Sequence, residues 1–447
     1  MIIQNWWFTT LLEHKYDVCP PLQKDIECDV LIIGGGMSGI SAAAAFIDKG
    51  LKVVLVEKNI VGGGTSGKSA GFMTPDSELE LSQIVRRYGI KGAQEIWEIP
   101  TRGISLVRDY IKKYDIKCDY REQDSLFLGI GKSGLDIVKE EEHGRKEVGF
   151  TNQKVYDEKQ LKTIINSENF SGGIRYDDTF GFNPLQYLQG MKSVLLKAGI
   201  QIFESTEVNS INGNTAMTDA GTIKAKEMIV SIDKMPKTFH DLSKQIYHAQ
   251  TFLSVSEPLS DKVVAELLPN GEDFQMWDNT LVYSYWRLID QNRILLGGGN
   301  AASTFTPFLW NHNNVISGVH SKFKNHFPIL KNLNFIQYWP GMIDTTRDLL
   351  PIVVRDEKNP NIRIIQGAVG LPWASFCGDF VARNILDTEG DADSKYFEYL
   401  SNRRRFTFPI WMRKVISKPI MFALSNGWAK YYQKDQDYKL EEKENEF

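Results

Sequence analysis

Three glycines and one glutamate near the N-terminus have the types and spacing of a dinucleotide-binding site. Gly34, Gly36 and Gly39 fit the pattern G-x-G-x-x-G, and Glu57 follows them farther along the chain. In this pattern the first glycine makes a tight turn, the second lets the backbone approach a pyrophosphate, and the third lets a helix pack on a strand. A carboxylate placed after the next strand can accept hydrogen bonds from a ribose. These residues therefore predict a bound dinucleotide.

The elements that must position these residues are also visible. Residues 30–33 are predicted to form a buried parallel strand. An alanine-rich helix is predicted from near Met37 to Lys49, with Gly50 as a left-handed cap. Residues 52–56 form a second strand that ends at the acid. The positive end of the helix would face the pyrophosphate, so the order of elements favours a Rossmann-like unit.

A second glycine-rich stretch follows directly. Residues 61–72 contain five glycines and several serine and threonine residues. Such a loop is costly to order and offers many backbone N–H donors. A flexible surface loop could have the same composition. Its place just after the ribose-binding acid favours a loop beside the cofactor, because that edge of the sheet faces the ligand.

The stretch VEKNIVGGGTSGKSAGFMTPDSELEL, preceded by PPLQKDIECDVLIIGGGMSGISAA, resembles the family of FAD-dependent amine and amino-acid oxidases. This family includes D-amino-acid oxidase, glycine oxidase and sarcosine oxidase, and the resemblance is closest to its gamma-glutamylputrescine oxidase branch. It covers about residues 25–390. It implies that the glycine-rich loop follows the FAD pyrophosphate to the flavin ring, and that Val208 contacts the adenine through its backbone.

Near the C-terminus, WPG…TRDLLP…GAVGLPWA is similar to the last FAD motif of the family, although Leu371 and Pro372 replace the more usual residues. Ser231-Ile232-Asp233 likewise replaces the family's Ala-Thr-Gly. No cysteine stands near Gly341, which favours non-covalent FAD. The predicted cofactor-binding residues are Gly34, Gly36, Met37, Ser38, Gly39, Glu57, Lys58, Thr65, Ser66, Lys68, Ser69, Ala70, Gly71, Val208, Gly341, Gly370, Leu371, Pro372 and Trp373.

Four residues are candidates for substrate contact. Arg347 or Arg287 could clamp a substrate carboxylate through two hydrogen bonds. Tyr283 and Tyr285 share a strand face with Arg287 by the two-residue period and could add hydroxyl groups. For any one of them, packing of a sheet face on a helix is an equally good interpretation.

Composition restricts the class of protein. The 447 residues are 42% hydrophobic and 24% charged, as in a soluble enzyme of two or three domains. A net charge of -4 gives no general attraction to nucleic acid. The four scattered cysteines indicate neither a disulfide framework nor a metal site and favour the cytoplasm. We expect no metal and no membrane span, and the oligomeric state stays open.

The C-terminal region has a different character. Residues 403–418 contain six basic residues and no acid, with aromatic residues between them. With the apolar residues up to Trp428, this stretch could lie on an anionic membrane surface. That contact would place a cytoplasmic protein on the inner face of the membrane. A helix docked on the FAD domain is the alternative.

These observations predict an α/β fold with a discontinuous Rossmann-like FAD-binding domain, an α+β substrate domain with an antiparallel sheet, and a C-terminal helical tail. The sequence also predicts an extended part of the leader at residues 20–21, helices over 185–197 and about 377–386, and a hairpin of residues 280–290 and 293–296. The predicted divisions are a leader (1–27), the FAD-binding domain (28–90, 166–245 and 336–392), the substrate domain (91–165 and 246–335) and the tail (393–447).

Three functions are compatible with this organisation. The first is an FAD-dependent oxidoreductase that oxidises the C–N bond of a small amine or amino acid by hydride transfer to flavin N5. The imine would hydrolyse, and oxygen would accept the electrons as hydrogen peroxide. The second is a membrane-surface dehydrogenase that passes electrons to quinone. The third is a flavin-binding module without turnover, for which the unusual residues 231–233 and 371–372 are the only support.

Overall fold

The structure is a computed structural model. It describes residues 1–14, 16–76, 78–131, 133–236, 239–240, 242, 245–280, 282–300, 304, 313–346, 348–386 and 391–404. The predicted substrate residue Arg347 and most of the predicted tail therefore lie outside the described residues.

The strands fall into three sheets. In chain order they are β1 (Ile2–Ile3), β2 (Ile26–Ile33), β3 (Val53–Val56), β4 (Phe72–Met73), β5 (Arg121–Glu122), β6 (Asp124–Ile130), β7 (Gln153–Asp157), β8 (Phe170–Tyr176), β9 (Phe180–Gly181), β10 (Gln201–Phe203), β11 (Ser210–Asn212), β12 (Thr215–Thr218), β13 (Gly221–Val230), β14 (Tyr247–Pro258), β15 (Phe274–Asp278), β16 (Tyr285–Ile289), β17 (Arg293–Gly298), β18 (Phe335–Thr345), β19 (Ile352–Arg355) and β20 (Ile362–Gln366).

The helices of the described residues surround these sheets. They are α1 (Trp6–Leu11), α2 (Met37–Ala45), α3 (Leu81–Tyr114), α4 (Gly134–Val148), α5 (Glu158–Leu161), α6 (Pro184–Lys197), α7 (Asp261–Leu267), α8 (Asn313–His326), α9 (Leu371–Ile385), α10 (Asp391–Ser394) and α11 (Tyr396–Leu400).

The first sheet is the predicted Rossmann-like unit. Strands β10, β3, β2, β13 and β20 pair in parallel in that order, and β11, β12 and β19 pair antiparallel at its margins. All four residues of β3 are buried, as expected for a parallel strand covered on both faces. Strand β20 comes from the C-terminal region, so the discontinuous assembly predicted from the sequence is confirmed.

The second sheet has nine strands in the order β1-β18-β14-β17-β16-β15-β6-β8-β7. The predicted hairpin is present as β16 and β17, which pair antiparallel. The sheet also contains β8 and β18, which the sequence divisions placed in the FAD-binding segments. Strand β18 pairs along most of its length with β14, and these long-range partners are not visible in a local pattern.

Helix boundaries differ from the prediction at three places. Helix α2 ends at Ala45 rather than near Lys49. Helix α9 begins at Leu371, whereas the sequence favoured a start near Cys377. The leader forms β1 and α1 instead of an extended segment alone, because Asn5 caps α1 by accepting a hydrogen bond from the Trp7 N–H.

Helix α9 packs on α2 and on α3. A Cβ added at Gly378 in α9 would lie 2.0 Å from the carbonyl oxygen of Ser38, so only glycine permits this approach. The contact brings the N-terminus of α9 beside the glycine turn that follows β2. None of the helices in the described ranges is long and apolar enough to cross a membrane.

The described C-terminal residues fold back onto the protein. The Arg404 guanidinium makes two hydrogen bonds to the Asp348 carboxylate, from Nε at 2.6 Å and from Nη2 at 2.7 Å. Both side chains are nearly inaccessible, at 6% and 3% exposure. Arg404 is thus an internal anchor, which corrects its assignment to a membrane-facing basic stretch. The stretch from residue 405 lies outside the described residues.

Candidate active site

The turn between β2 and α2 has the geometry that a pyrophosphate needs. Gly34 has φ +110°, and a Cβ added at Gly39 would lie 1.9 Å from the Gly34 carbonyl oxygen. A Cβ added at Gly36 would lie 3.2 Å from Ser66 Oγ, so the absence of a side chain here lets Ser66 approach the turn closely. Ser66 also accepts a hydrogen bond from the Met37 N–H at the start of α2. Gly34 and Gly39 therefore have the turn and close-packing geometry that their spacing predicts, and the pyrophosphate contact of Gly36 stays a prediction.

Glu57 lies at the end of β3 beside this turn. Its carboxylate accepts hydrogen bonds from the Gly35 N–H at 2.8 Å and the Asn59 N–H at 2.9 Å. Burial raises the pKa of Glu57, while the two N–H groups oppose that shift. Each oxygen keeps a lone pair that can accept from a ribose hydroxyl. The neighbouring Lys58 is exposed, and Val208 is buried in the core of this sheet.

The glycine-rich loop is fixed by side chains from distant parts of the chain. Four consecutive carbonyl oxygens each accept a hydrogen bond from a side-chain N–H. The four pairs are Asn5 Nδ2 to Gly67 (2.8 Å), Trp339 Nε1 to Lys68 (3.0 Å), Trp7 Nε1 to Ser69 (2.8 Å) and Arg287 Nε to Ala70 (2.9 Å). Since all four donors come from the protein, the peptide planes are set before any ligand binds. We call residues 67–70 the braced loop.

Lys68 in the braced loop is half-buried, and burial together with Lys234 lowers its pKa. Within the described ranges Lys68 forms no ion pair. Thr65 Oγ1 donates to the carbonyl oxygen of Met342, which ties the loop to β18 next to Gly341. A cation with no carboxylate partner is the expected complement of an anionic cofactor.

The N-terminus of α9 forms the opposite wall. Its N-cap, Gly370, has φ +93° and provides no side-chain cap. The first N–H groups of a helix carry partial positive charge, so they favour a ligand on which negative charge develops. The Trp373 indole is buried and donates to the carbonyl oxygen of Pro75, so it supports this wall from behind.

A cavity of about 280 Å³ lies between these walls. Of the predicted site residues, it brings together Ser69, Ala70, Gly71, Tyr283, Tyr285, Gly370, Leu371 and Pro372. The cavity joins the braced loop, the N-terminus of α9 and one face of the nine-stranded sheet. The sheet therefore covers the part of the cavity that faces the braced loop and the N-terminus of α9.

Tyr283 and Tyr285 line the cavity with ring centroids 5.5 Å apart. The Tyr283 hydroxyl donates to Glu78 Oε1 at 3.2 Å, and the Tyr285 hydroxyl shares a hydrogen bond with Thr251 Oγ1 at 3.0 Å. Burial raises the pKa of both phenols, that of Tyr285 to about 12. Both are therefore neutral hydroxyl groups near pH 7 and do not act as bases.

Arg287, the third predicted substrate residue on this strand face, lies outside the cavity. Its side chain is 0% exposed and does not line the cavity. Nη2 donates to the Phe182 carbonyl oxygen at 2.6 Å, and Nη1 to Gln123 Oε1 at 3.3 Å. Burial lowers the pKa of Arg287 to about 10, which leaves the group charged near pH 7. Because its donors face the protein, this geometry does not provide the predicted carboxylate clamp.

A group of acidic residues in the cavity wall was not predicted. Asp76, Glu78 and Glu80 alternate directly after the glycine-rich loop, and Glu141 in α4 reaches the same wall. The alternation of acids at 76, 78 and 80 was the available signal, because a two-residue period can direct all three to one side.

Asp76, Glu80 and Glu141 are close enough together to hold a cation, with candidate oxygens within 4.8 Å of one another. Arg145 already supplies that charge, from 3.3 Å to Asp76 and 2.8 Å to Glu141. The guanidinium also lies 3.7 Å from the centre of the Tyr176 ring. Asp76 and Glu141 thus belong to an internal ion-pair network with Arg145, and Glu80 lies beside it.

Residues 29–383 match the model of the DAO family, described as FAD dependent oxidoreductase. The chain belongs to this family. The protein is accordingly an FAD-dependent oxidoreductase, which confirms the resemblance, the fold class and the cofactor predicted from the sequence. The glycine turn, the Glu57 carboxylate at the end of β3, and Lys68, which forms no ion pair with any described residue, fit that cofactor.

Named relatives agree with the assignment. The chain is 27% identical to the probable oxidoreductase OrdL of Haemophilus influenzae over 82% of this chain and 85% of the relative. It is 26% identical to gamma-glutamylputrescine oxidoreductase of Escherichia coli over 89% and 91% of the two chains. Among solved structures it is similar to glycine oxidase from Geobacillus kaustophilus, with a TM-score of 0.72, 16% identity, and coverage of 85% and 99%.

Proposed function

We propose that this protein oxidises the C–N bond of a small amine or amino acid. When bound, FAD would supply a two-electron acceptor for the hydride of the carbon beside the nitrogen. The nitrogen lone pair completes the C=N bond, and water hydrolyses the imine to a carbonyl compound and an amine or ammonia. Oxygen takes up the two electrons and two protons as hydrogen peroxide.

The observation that carries this proposal is the position of the cavity. Its walls combine the braced loop and the N-terminus of α9, which are the predicted flavin contacts, with Tyr283 and Tyr285 from the sheet domain. A substrate in the cavity would thus lie beside the flavin ring. The names of the relatives, gamma-glutamylputrescine oxidoreductase and glycine oxidase, support a nitrogen-bearing substrate.

The residues of the cavity would bind and orient the substrate. The rings of Tyr283, Tyr285 and Phe72 offer an apolar surface for an alkyl chain and exclude water from it. The two phenols donate or accept hydrogen bonds without changing charge. The backbone N–H groups in the first turn of α9 would stabilise negative charge that develops on a bound flavin.

An anaerobic titration tests the reaction class. The purified yellow holoenzyme is mixed without oxygen with amines and amino acids that include gamma-glutamylputrescine, sarcosine, glycine and D-amino acids. Loss of the visible flavin band with one of them is the expected result. A flavin that none of these compounds bleaches would contradict the proposed function.

The electron acceptor is tested in the same cuvette. After bleaching, air is admitted and the colour and hydrogen peroxide are followed. We expect the colour to return with one peroxide per substrate oxidised. A bleached enzyme that stays colourless in air and recovers with a soluble quinone would contradict oxygen as the acceptor, while the C–N oxidation would stand.

A further inference from the structure

The cavity wall has more negative charge than its basic partners balance. Six carboxylates line it: Asp76, Glu78, Glu80, Glu140, Glu141 and Asp278. Four of them form ion pairs. Arg145 pairs with Asp76 and Glu141, Arg86 with Glu140, and Lys322 with Asp278. Over the described ranges of the chain, Glu78 and Glu80 form no ion pair.

These two half-buried carboxylates each accept only one hydrogen bond among the described residues. Glu78 accepts one hydrogen bond, from the Tyr283 hydroxyl. Glu80 accepts one at Oε1 from Trp277 Nε1 at 3.1 Å, while its Oε2 is shielded from solvent and has no hydrogen-bond partner. Burial raises the pKa of Glu78 to about 7 and that of Glu80 well above its usual value. An arriving cation would relieve this desolvation cost.

Aromatic rings surround the same two carboxylates. Phe127 and Trp277 line the cavity on the side of Glu80, and Tyr283 and Tyr285 on the side of Glu78. Aromatic faces attract cations and pack against alkyl chains. A carboxylate group of a substrate would instead meet like charge in this part of the cavity. The lining therefore complements an alkylammonium group.

We propose that Glu78 and Glu80 bind a second cationic group of the substrate, so that the preferred substrate is a diamine or an amine with a distal ammonium. This inference rests on the proposed function and specifies its substrate class. The reacting amine would lie at the flavin end, between Tyr285 and the N-terminus of α9. The distal ammonium would reach the two glutamates and donate charge-assisted hydrogen bonds.

Matched substrates test the inference on the wild-type holoenzyme. Putrescine and cadaverine are compared with n-butylamine and n-pentylamine, and with γ-aminobutyrate, in anaerobic flavin bleaching. We expect each diamine to half-saturate at a concentration about 10- to 100-fold lower than its monoamine, as one charge-assisted hydrogen bond would give. Equal values, or a preference for γ-aminobutyrate, would overturn the inference.

Substitutions of the two glutamates test whether these residues cause the preference for diamines. Glu78→Gln and Glu80→Gln keep the side-chain shape and remove the ionisable carboxyl group. Each is expected to abolish most of the diamine preference, measured within each variant as the ratio of the half-saturating concentrations of n-butylamine and putrescine. Glu142→Gln is the control, because Glu142 pairs with Lys146 on the surface of α4 and does not line the cavity. Retention of the preference in both cavity variants would overturn the assignment.

The outcomes separate this inference from the proposed function. If glycine, sarcosine or a D-amino acid bleaches the flavin and no diamine does, C–N oxidation stands and the cationic substrate class is rejected. If no nitrogen compound bleaches it, the proposed function fails and the inference fails with it. The flavin spectrum and melting temperature of each variant show whether a loss arises from misfolding.

Discussion

At Arg287 a fully buried guanidinium donates hydrogen bonds to the braced loop, to Phe182 and to Gln123. Its planar arrangement of five N–H groups reaches several acceptors at once, which the single ammonium of lysine cannot do. Arg287, which the sequence suggested as a substrate contact, thus holds the braced loop, Phe182 and Gln123 together. Its chemistry is that of a positioning residue.

We therefore expect Arg287→Lys to lower the stability of the protein and to change its affinity for substrate little. The unpaired carbonyl groups would lower the free energy of unfolding by about 1–3 kcal/mol. In the folded holoenzyme the half-saturating substrate concentration would stay close to that of the wild type. Chemical denaturation and anaerobic bleaching measure the two quantities. A large rise in half-saturation with unchanged stability would instead support a direct clamp.

The raised pKa of Glu78 predicts a pH-dependent substrate preference. Its carboxyl group, with a pKa of about 7, is mostly neutral at pH 6 and mostly ionised at pH 8. Tyr283 and Tyr285 stay neutral in this range, and Glu80 is the neighbouring acid of the cavity. The preference for putrescine over n-butylamine should therefore increase with pH.

The ratio of the two amines is the useful measurement, since both must lose a proton from the reacting nitrogen and this common requirement cancels. In Glu78→Gln the increase of the ratio near pH 7 should disappear. An unchanged pH profile in that variant would assign the titration to another group.

Among the elements, the braced loop depends most on distant partners. Its carbonyl groups are held by the leader, by β16 and by β18, although the loop itself is rich in glycine and has little intrinsic preference for one conformation. Fixing the loop before FAD binds lowers the entropy lost on binding. The leader, which local sequence patterns identify only as a preceding segment, is therefore part of the cofactor site.

Trp7→Phe tests this role. The substitution keeps an aromatic ring in the core and removes the Nε1–H that donates to Ser69. We expect FAD to bind about 2- to 10-fold more weakly, in line with the loss of one hydrogen bond. The dissociation constant is measured by flavin fluorescence on the apoprotein. Trp6→Phe is the matched control, because Trp6 packs under Arg293 and does not contact the loop.

Local sequence patterns predicted the elements whose partners are close in the chain. The β2–α2–β3 unit, the β16–β17 hairpin and α6 are of this kind. The N-terminus of α9 was placed too late because Pro372 interrupts the helical pattern, although proline is well suited to the first turn of a helix. The role of Arg287 could not be predicted, since its acceptors lie in three remote segments.

On the scale of the whole molecule, the Arg404–Asp348 pair joins the end of the described chain to the segment between β18 and β19. Arg404→Ala would leave a buried carboxylate without its cation and should lower the free energy of unfolding by about 3–5 kcal/mol. Arg403→Ala is the control, because that side chain is 76% exposed and should change stability by less than about 0.5 kcal/mol. Similar melting temperatures for both variants would contradict the anchoring role.

A fall in pH should weaken the ion pair between Arg404 and Asp348. Arg404 lowers the pKa of Asp348 in the folded state despite burial, so the folded protein holds this proton less tightly than the unfolded chain. The stabilisation is present above the ordinary aspartate pKa and is lost as the pH falls through the lower, folded value. The wild type should lose more stability on acidification than Asp348→Asn, as measured by thermal melts at several pH values.

The braced loop also has a consequence for the order of events during synthesis. Trp7 leaves the ribosome long before Trp339, because most of the described chain lies between these two residues. The loop cannot acquire its full set of partners before Trp339 emerges. A growing chain that lacks Trp339 therefore holds the braced loop with an incomplete set of donors, and we expect it to bind FAD more weakly than a chain that includes Trp339.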